Sequence, residues 1–162
     1  MAESSPRVTG RVMVAAAADS VAVRVRDADF TADFASIRHV RATVFIDEQR
    51  VPLELEFDDR DGHCRHVLAF EGNAAVGTGR LDLGYGGKVG RVAVLATHRR
   101  GGVGKALMQR LHEVAREQRQ AKLWCNAQLT AVPFYEGLGY RSVGPTFVEA
   151  GIDHVRMECD VA

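Results

Sequence analysis

GRVAVLATHRRGGVGKALMQRLHEVAR, Gly90 to Arg116, decides how the rest of the 162-residue chain is read. It opens on Val92-Ala93-Val94-Leu95, an apolar run of the length of a buried strand. A short bridge, Ala96-Thr97-His98, leads into Arg99-Arg100-Gly101-Gly102-Val103-Gly104. From Val103 onward apolar residues recur at Leu107, Leu111 and Val114, the stripe of one helix face. The expected order is therefore strand, glycine-rich turn, helix over about 102–119. Glycines let the backbone approach a ligand, and the first amides of a helix have no partner inside it. With the positive end of the helix dipole they form an anion site, to which Arg99, Arg100 and Lys105 add full charges. The stretch reads as a phosphate cradle; an ordinary glycine turn with solvated arginines is the plainer alternative.

Length and composition bound the rest. The chain has the size of one domain with a proper core. Its 21 basic and 21 acidic residues cancel, which predicts neither a nucleic-acid binder nor an acidic tail. Cys64, Cys125 and Cys159 are odd in number and widely spaced, so neither a disulfide framework nor a zinc site is expected, and a reducing cytoplasm suits them. No apolar run approaches the roughly 18 residues of a membrane span. Val12 to Ala18 is apolar and follows Arg7 and Arg11, but Asp19 ends it at once. Residues 1–20 are accordingly expected to be a poorly ordered N-terminal extension, and 21–162 a single domain.

In chain order, Val21 to Arg26 alternates as a half-buried strand. Asp29 or Thr31 can cap a helix that carries Phe34, Ile37, Val40 or Arg41, Val44 and Phe45 on one side and ends near Asp47. Glu48 to Gly62 has no period and reads as a loop with at most one helical turn. Arg65 to Glu71 and Ala74 to Leu83 form a hairpin about Gly72-Asn73. After the strand Val89 to Leu95 and the cradle helix come a strand at Lys122 to Gln128, a short helix at Ala131 to Leu138, and a last strand at Val155 to Cys159. The order βα, ββ, βα, βα, β predicts an α/β (α+β) fold, a mixed sheet with helices on both faces.

The cradle fails the Walker pattern, because Arg99 stands at its first glycine and Ala106 replaces the magnesium-binding hydroxyl; Leu107 breaks the dinucleotide pattern. It fits [Q/R]-x-x-G-x-[G/A] directly after a strand, and so resembles the acyl-CoA pyrophosphate loop of the GNAT N-acetyltransferase superfamily. A second motif lies at Asn126 to Tyr140, NAQLTAVPFYEGLGY. Gln128, Ala131, Tyr135, Glu136, Gly139 and Tyr140 match the superfamily's N-x-x-A-x-x-x-Y-E-x-x-G-[FY], with Gln128 in place of the usual Asn. Together with VFIDEQRVP near Val44 and FVEAGIDH near Phe147, the chain resembles small single-domain bacterial GNAT proteins of undefined substrate over about residues 21–160.

The resemblance implies a GNAT fold, with a central, mostly antiparallel sheet of six to seven strands splayed at the acyl-CoA site. It implies acetyl-CoA as co-substrate and direct attack by an amine. By resemblance Val92, Ala93 and Val94 offer backbone groups to the pantetheine arm, and one amide polarises the thioester carbonyl. Arg99, Arg100, Gly101, Gly102, Val103, Gly104 and Lys105 hold the pyrophosphate, with Gln128 and Phe134 also on the acyl-CoA site. Tyr135 resembles the residue that protonates the leaving thiolate; a plain core aromatic pair, Phe134-Tyr135, is the alternative, and the motif position favours Tyr135.

The acceptor amine must lose a proton, and Glu48, Glu54, Glu56, Asp58, Asp61, His66, Glu149 and His154 are candidates. Most of this acidic run reads as solvated loop. Glu56 and Glu48 lead, because they lie in the segment that walls the acceptor pocket in the superfamily; water is the other route. Their charge suggests a cationic small-molecule amine as partner, with a homodimer left open. His154 reads more readily as a structural histidine. Phe57 and Leu68 spoil a calcium loop around Asp59-Arg60-Asp61-Gly62, and strand alternation separates His63-Cys64-x-His66, so no metal is expected. Cys125 reads as core. A non-catalytic acyl-CoA sensor remains the alternative to the enzyme.

Overall fold

Alternation along one strand sets the layers. In Arg65–Glu71, Val67 and Ala69 join one apolar cluster while Leu68 and Phe70 join another on the opposite face. The computed structural model describes residues 11–13 and 22–161, the first three by backbone alone. One sheet of eight strands runs in the order β1-β2-β3-β4-β5-β6-β8-β7. The strands are β1 (Arg11–Met13), β2 (Val23–Ala28), β3 (Arg65–Glu71), β4 (Ala74–Asp82), β5 (Lys88–Val94), β6 (Lys122–Gln128), β7 (Arg141–Glu149) and β8 (Ile152–Asp160). Every pairing is antiparallel except β5 with β6. The mixed, mostly antiparallel sheet of the expected fold is present.

Against the expected six to seven strands, two of the eight, β1 and β7, are additional to the six that the sequence pattern marks. β7 was hidden because all nine of its residues are exposed, which leaves no apolar alternation to read. β1 falls inside the expected N-terminal extension and pairs with β2 through Arg11–Val25 to Met13–Val23. The remainder of that extension, 1–10 and 14–20, lies outside the described residues.

Helix α1 (Phe34–Arg41) covers one face at β4 and β5; α3 (Val103–Glu117) covers the other, over β2 to β5. Leu107 and Leu111 of α3 are fully buried, as the helical stripe requires. The close approach has a cause in β4. A Cβ at Gly77 would lie 2.9 Å from Leu107 Cδ1, and one at Gly79 would lie 3.2 Å from Leu111 Cδ1. Beyond α1 the chain widens into a π-helical segment, Ala42–Glu48, where the Gln49 amide donates to the Val44 carbonyl. A single turn, α2 (Leu53–Glu56), and the short α4 (Val132–Glu136) complete the helices.

Candidate active site

β5 and β6 meet at one residue pair, Lys88–Trp124, where the Trp124 amide donates to the Gly87 carbonyl at 3.1 Å. Beyond it they part. The opening is a cleft of about 440 Å³ walled by β5 from Lys88 to Val94 and by Cys125, Asn126, Ala127 and Gln128 of β6. Gln49, Val51, Leu55 and Glu56 close one side, and Ala131 and Tyr135 another.

A bulge in β5 turns backbone toward this gap. Thr78 pairs with Ala93 and Arg80 with Gly90, so Arg91 and Val92 together oppose Gly79. Arg91 takes φ 53°, which few non-glycine residues adopt. Its guanidinium holds it there, Nε donating to the Glu56 carbonyl and Nη2 to the Leu55 carbonyl, each at 3.1 Å. Freed from β4 and from the diverging β6, Arg91 and Val92 line the cleft.

The cradle follows at the open end. Gly102, at φ 86°, precedes α3 without a side-chain cap, and the first backbone bond of the helix joins Ala106 N to Gly102 O at 3.0 Å. The preceding amides are the unpaired donors of a helix start. A Cβ on Gly102 would meet nothing within 4 Å, so space stands open in front of them. These features fit an acyl-CoA pyrophosphate. Gly104 serves differently: a Cβ there would meet two atoms of the Phe134 ring at 3.3 Å, so α3 and α4 touch at this point. Arg99 folds back, its Nε donating to the Val94 carbonyl at 2.9 Å and its Nη2 to Glu48 at 2.7 Å. Arg100 and Lys105 are exposed.

The acidic run is only partly solvated: Glu54 and Asp59 are exposed as the sequence suggests, but Glu56 and Asp61 are buried. Glu56 is 3% exposed and Asp61 1%. Arg41, itself 1% exposed, donates from Nε to Glu56 at 2.8 Å and from Nη1 to Asp61 at 2.7 Å. Arg80 spans Asp58 and Asp61, each at 2.8 Å. Three guanidiniums, Arg41, Arg80 and Arg91, thus interleave with Glu56, Asp58 and Asp61 and fasten α2 to the sheet. Burial pushes the Glu56 carboxyl up, against the pull of Arg91 and Arg41. At Asp58 burial is outweighed by Arg80 and Arg91, and its carboxyl falls to about 2. Glu56 Oε1 takes the arginine contacts; no described group hydrogen-bonds Oε2. Glu48, by contrast, is spent on Arg99 and does not line the cleft.

Tyr135 is 8% exposed and packs edge-on against Phe134 and Tyr140, with centroids 5.1 and 5.4 Å apart. Both readings of the aromatic pair therefore describe it. Tyr140 bonds its hydroxyl to His112 Nε2 at 2.8 Å, whereas the Tyr135 hydroxyl has no partner among the described residues and lines the cleft. Burial raises its phenol further above neutrality, so it holds its proton. Cys125 also lines the cleft, but burial lifts its thiol to about 12, which suits core rather than nucleophile.

Sequence reasoning missed three wall residues, Gln49, Lys88 and Arg91. Gln49 and Gln128 join amides across the cleft at 2.8 Å, linking the π-helical segment to β6. Lys88 and Arg91 lie on β5, where only the bulge, which leaves no mark in hydropathy, sends Arg91 toward α2. His154 lines the rim, its Nδ1 donating to the Ile152 carbonyl at 2.7 Å. Among the described residues no group of three or more His, Cys, Asp or Glu could hold a metal ion.

A sequence model of the acetyltransferase (GNAT) domain matches residues 31–161. Bacillus subtilis YjcF, named as an uncharacterized N-acetyltransferase, is 40% identical over 125 residues, 75% of this chain and 89% of that one. Two solved structures share the fold. Escherichia coli ElaA superposes with a TM-score of 0.75 at 24% identity, covering 83% of this chain and 98% of its own. An acyl-CoA N-acyltransferase from Pseudomonas aeruginosa gives 0.74 at 22% identity, covering 85% and 99%.

Proposed function

Because the chain belongs to the GNAT acetyltransferase family, we propose that it is an N-acetyltransferase moving the acetyl group of acetyl-CoA onto a primary amine of a small molecule. The observation that carries this reading is the unpartnered Tyr135 hydroxyl on the wall of the gap between β5 and β6. A non-catalytic binding site has no need of a proton donor there.

In this reading the amides before Ala106 and the exposed Arg100 and Lys105 receive the pyrophosphate. The β5 backbone from Val92, at the bulge, to Val94 lines the pantetheine arm, and one of its amides polarises the thioester carbonyl. The amine attacks that carbonyl, forming the C–N bond. Its proton passes to Glu56 Oε2, directly or through water; the raised carboxyl makes Glu56 a better base than a solvated glutamate. As the C–S bond breaks, Tyr135 gives its proton to sulfur. Glu48 acts at one remove, holding Arg99 against the C-terminal end of β5.

The test is CoA release from acetyl-CoA across a broad amine panel, with product confirmed by mass. At least one amine should be acetylated with CoA formed in equal amount. Tight acetyl-CoA binding with no amine acetylated would overturn the reading in favour of an acyl-CoA sensor.

A further inference from the structure

The two ends of the cleft are not equivalent. The cradle follows Val94, so the nucleotide end of a CoA thioester lies there. The opposite end, where the strands still touch at Lys88 and α2 closes the wall with Leu55 and Glu56, is left for the acceptor. This assignment rests on the function proposed above.

The charge at that end differs from what the acidic run suggests. Glu56, Asp58 and Asp61 are matched one for one by Arg41, Arg80 and Arg91, and Asp82 is matched by Arg60 in a paired contact at 2.9 and 2.8 Å. Lys88 is left over. It lines the cleft, its Nζ lies 5.1 Å from the Trp124 ring centre, and no described carboxylate pairs with it. Arg156, on the same ring at 4.1 Å, is taken by Glu158. Arg91 spends Nε and Nη2 on α2 and leaves Nη1 without a partner among the described residues. The carboxylate on the far rim, Glu149, is half exposed and faces His154 at 3.7 Å. The acceptor end therefore holds one unpaired cation, Lys88, and beside it on the same strand one guanidinium nitrogen, Arg91 Nη1, without a partner among the described residues.

We propose that the acceptor carries a carboxylate near its reactive amine, as an amino acid does, and that Lys88 and Arg91 receive that carboxylate. A carboxylate fits between a point charge and a free guanidinium nitrogen; a polyamine brings the same sign of charge to both. This replaces the cationic acceptor expected from the sequence.

The experiment compares matched triples, such as phenylalanine, phenylalaninamide and phenethylamine, and methionine with its amide and its decarboxylated amine. kcat/KM is corrected for the fraction of free amine. The acid should exceed its amide by about tenfold or more in the wild type, fall level with it in K88M, and lose to it in K88E. K88R should keep the preference, and acetyl-CoA affinity should be unchanged in all three variants. Amides turned over as well as acids, or a ratio indifferent to Lys88, would overturn the proposal. Should no amine be acetylated, calorimetry of the same compounds with the acetyl-CoA-loaded protein separates the two ideas. Binding of the acids that vanishes in K88M upholds the pocket while acetyl transfer fails; no binding of the acids overturns the pocket as well.

Discussion

Tyr135 and Tyr140 are five residues apart, nearly equally buried and in ring contact, yet they differ in what their oxygens meet. Tyr140 is bound to His112, while Tyr135 faces the cleft alone. Tyr135→Phe keeps the ring and its edge contacts and removes only the proton. kcat should fall by about 10²–10⁴-fold, the usual worth of general acid help, with acetyl-CoA affinity nearly unchanged. Undiminished kcat on a genuine acceptor would make Tyr135 a core residue. Glu56 is harder to isolate, because Glu56→Gln also leaves the buried arginines with one charge too many. The variant should lose both kcat and stability, the latter by roughly 1–3 kcal/mol. A kcat unchanged in the folded variant would move the base elsewhere. The motif position made Tyr135 legible in the sequence. The pairing of Glu56 with Arg41, 15 residues earlier, was not, since nothing local signals which charges a fold will bury.

At the scale of elements, the strand, turn and helix from Gly90 onward were readable because apolar spacing changes from continuous to helical within a few residues. The bulge that aims the strand was not readable; Arg91 at φ 53° follows from its contacts with α2, not from its own preference. The cradle predicts a charge effect that can be separated from strain. Gly102→Asn and Gly102→Asp both force a side chain into a left-handed backbone, but only Asp brings a negative charge to the helix start. Acetyl-CoA affinity should drop at least about tenfold further in Asp than in Asn. Equal affinities in calorimetry would remove the pyrophosphate from this position. Arg41 tests the other wall. Arg41→Ala strands Glu56 and Asp61 in the interior and should cost about 3–5 kcal/mol in urea unfolding. A loss under 1 kcal/mol would mean that α2 is held by other contacts.

For the whole molecule, the buried charge network sets the response to acid. Asp58 lies near 2 and Asp61 is also lowered, against ordinary values of 3.8, so their contribution is present above pH about 4 and is lost as pH falls through their folded values. Glu56 runs the other way, its raised carboxyl favouring the fold at low pH and giving that up as pH rises through its folded value. With two groups against one, unfolding free energy should decline between pH about 4 and 2, by on the order of 2 kcal/mol for Asp58 alone. Asp58→Asn should flatten that decline, and parallel curves for the two proteins would contradict it. The layered sheet was legible because its central strands alternate between two cores; β7, exposed throughout, offered no such pattern. On the function proposed above, acyl transfer takes place in the gap between β5 and β6. A crystal structure of the acetyl-CoA complex tests it most directly. Pyrophosphate should lie at the amides following Gly102, the pantetheine arm along Val92 to Val94, and the thioester sulfur within hydrogen-bond reach of Tyr135 Oη. Acetyl-CoA bound outside this gap, or sulfur out of reach of Tyr135, would contradict it.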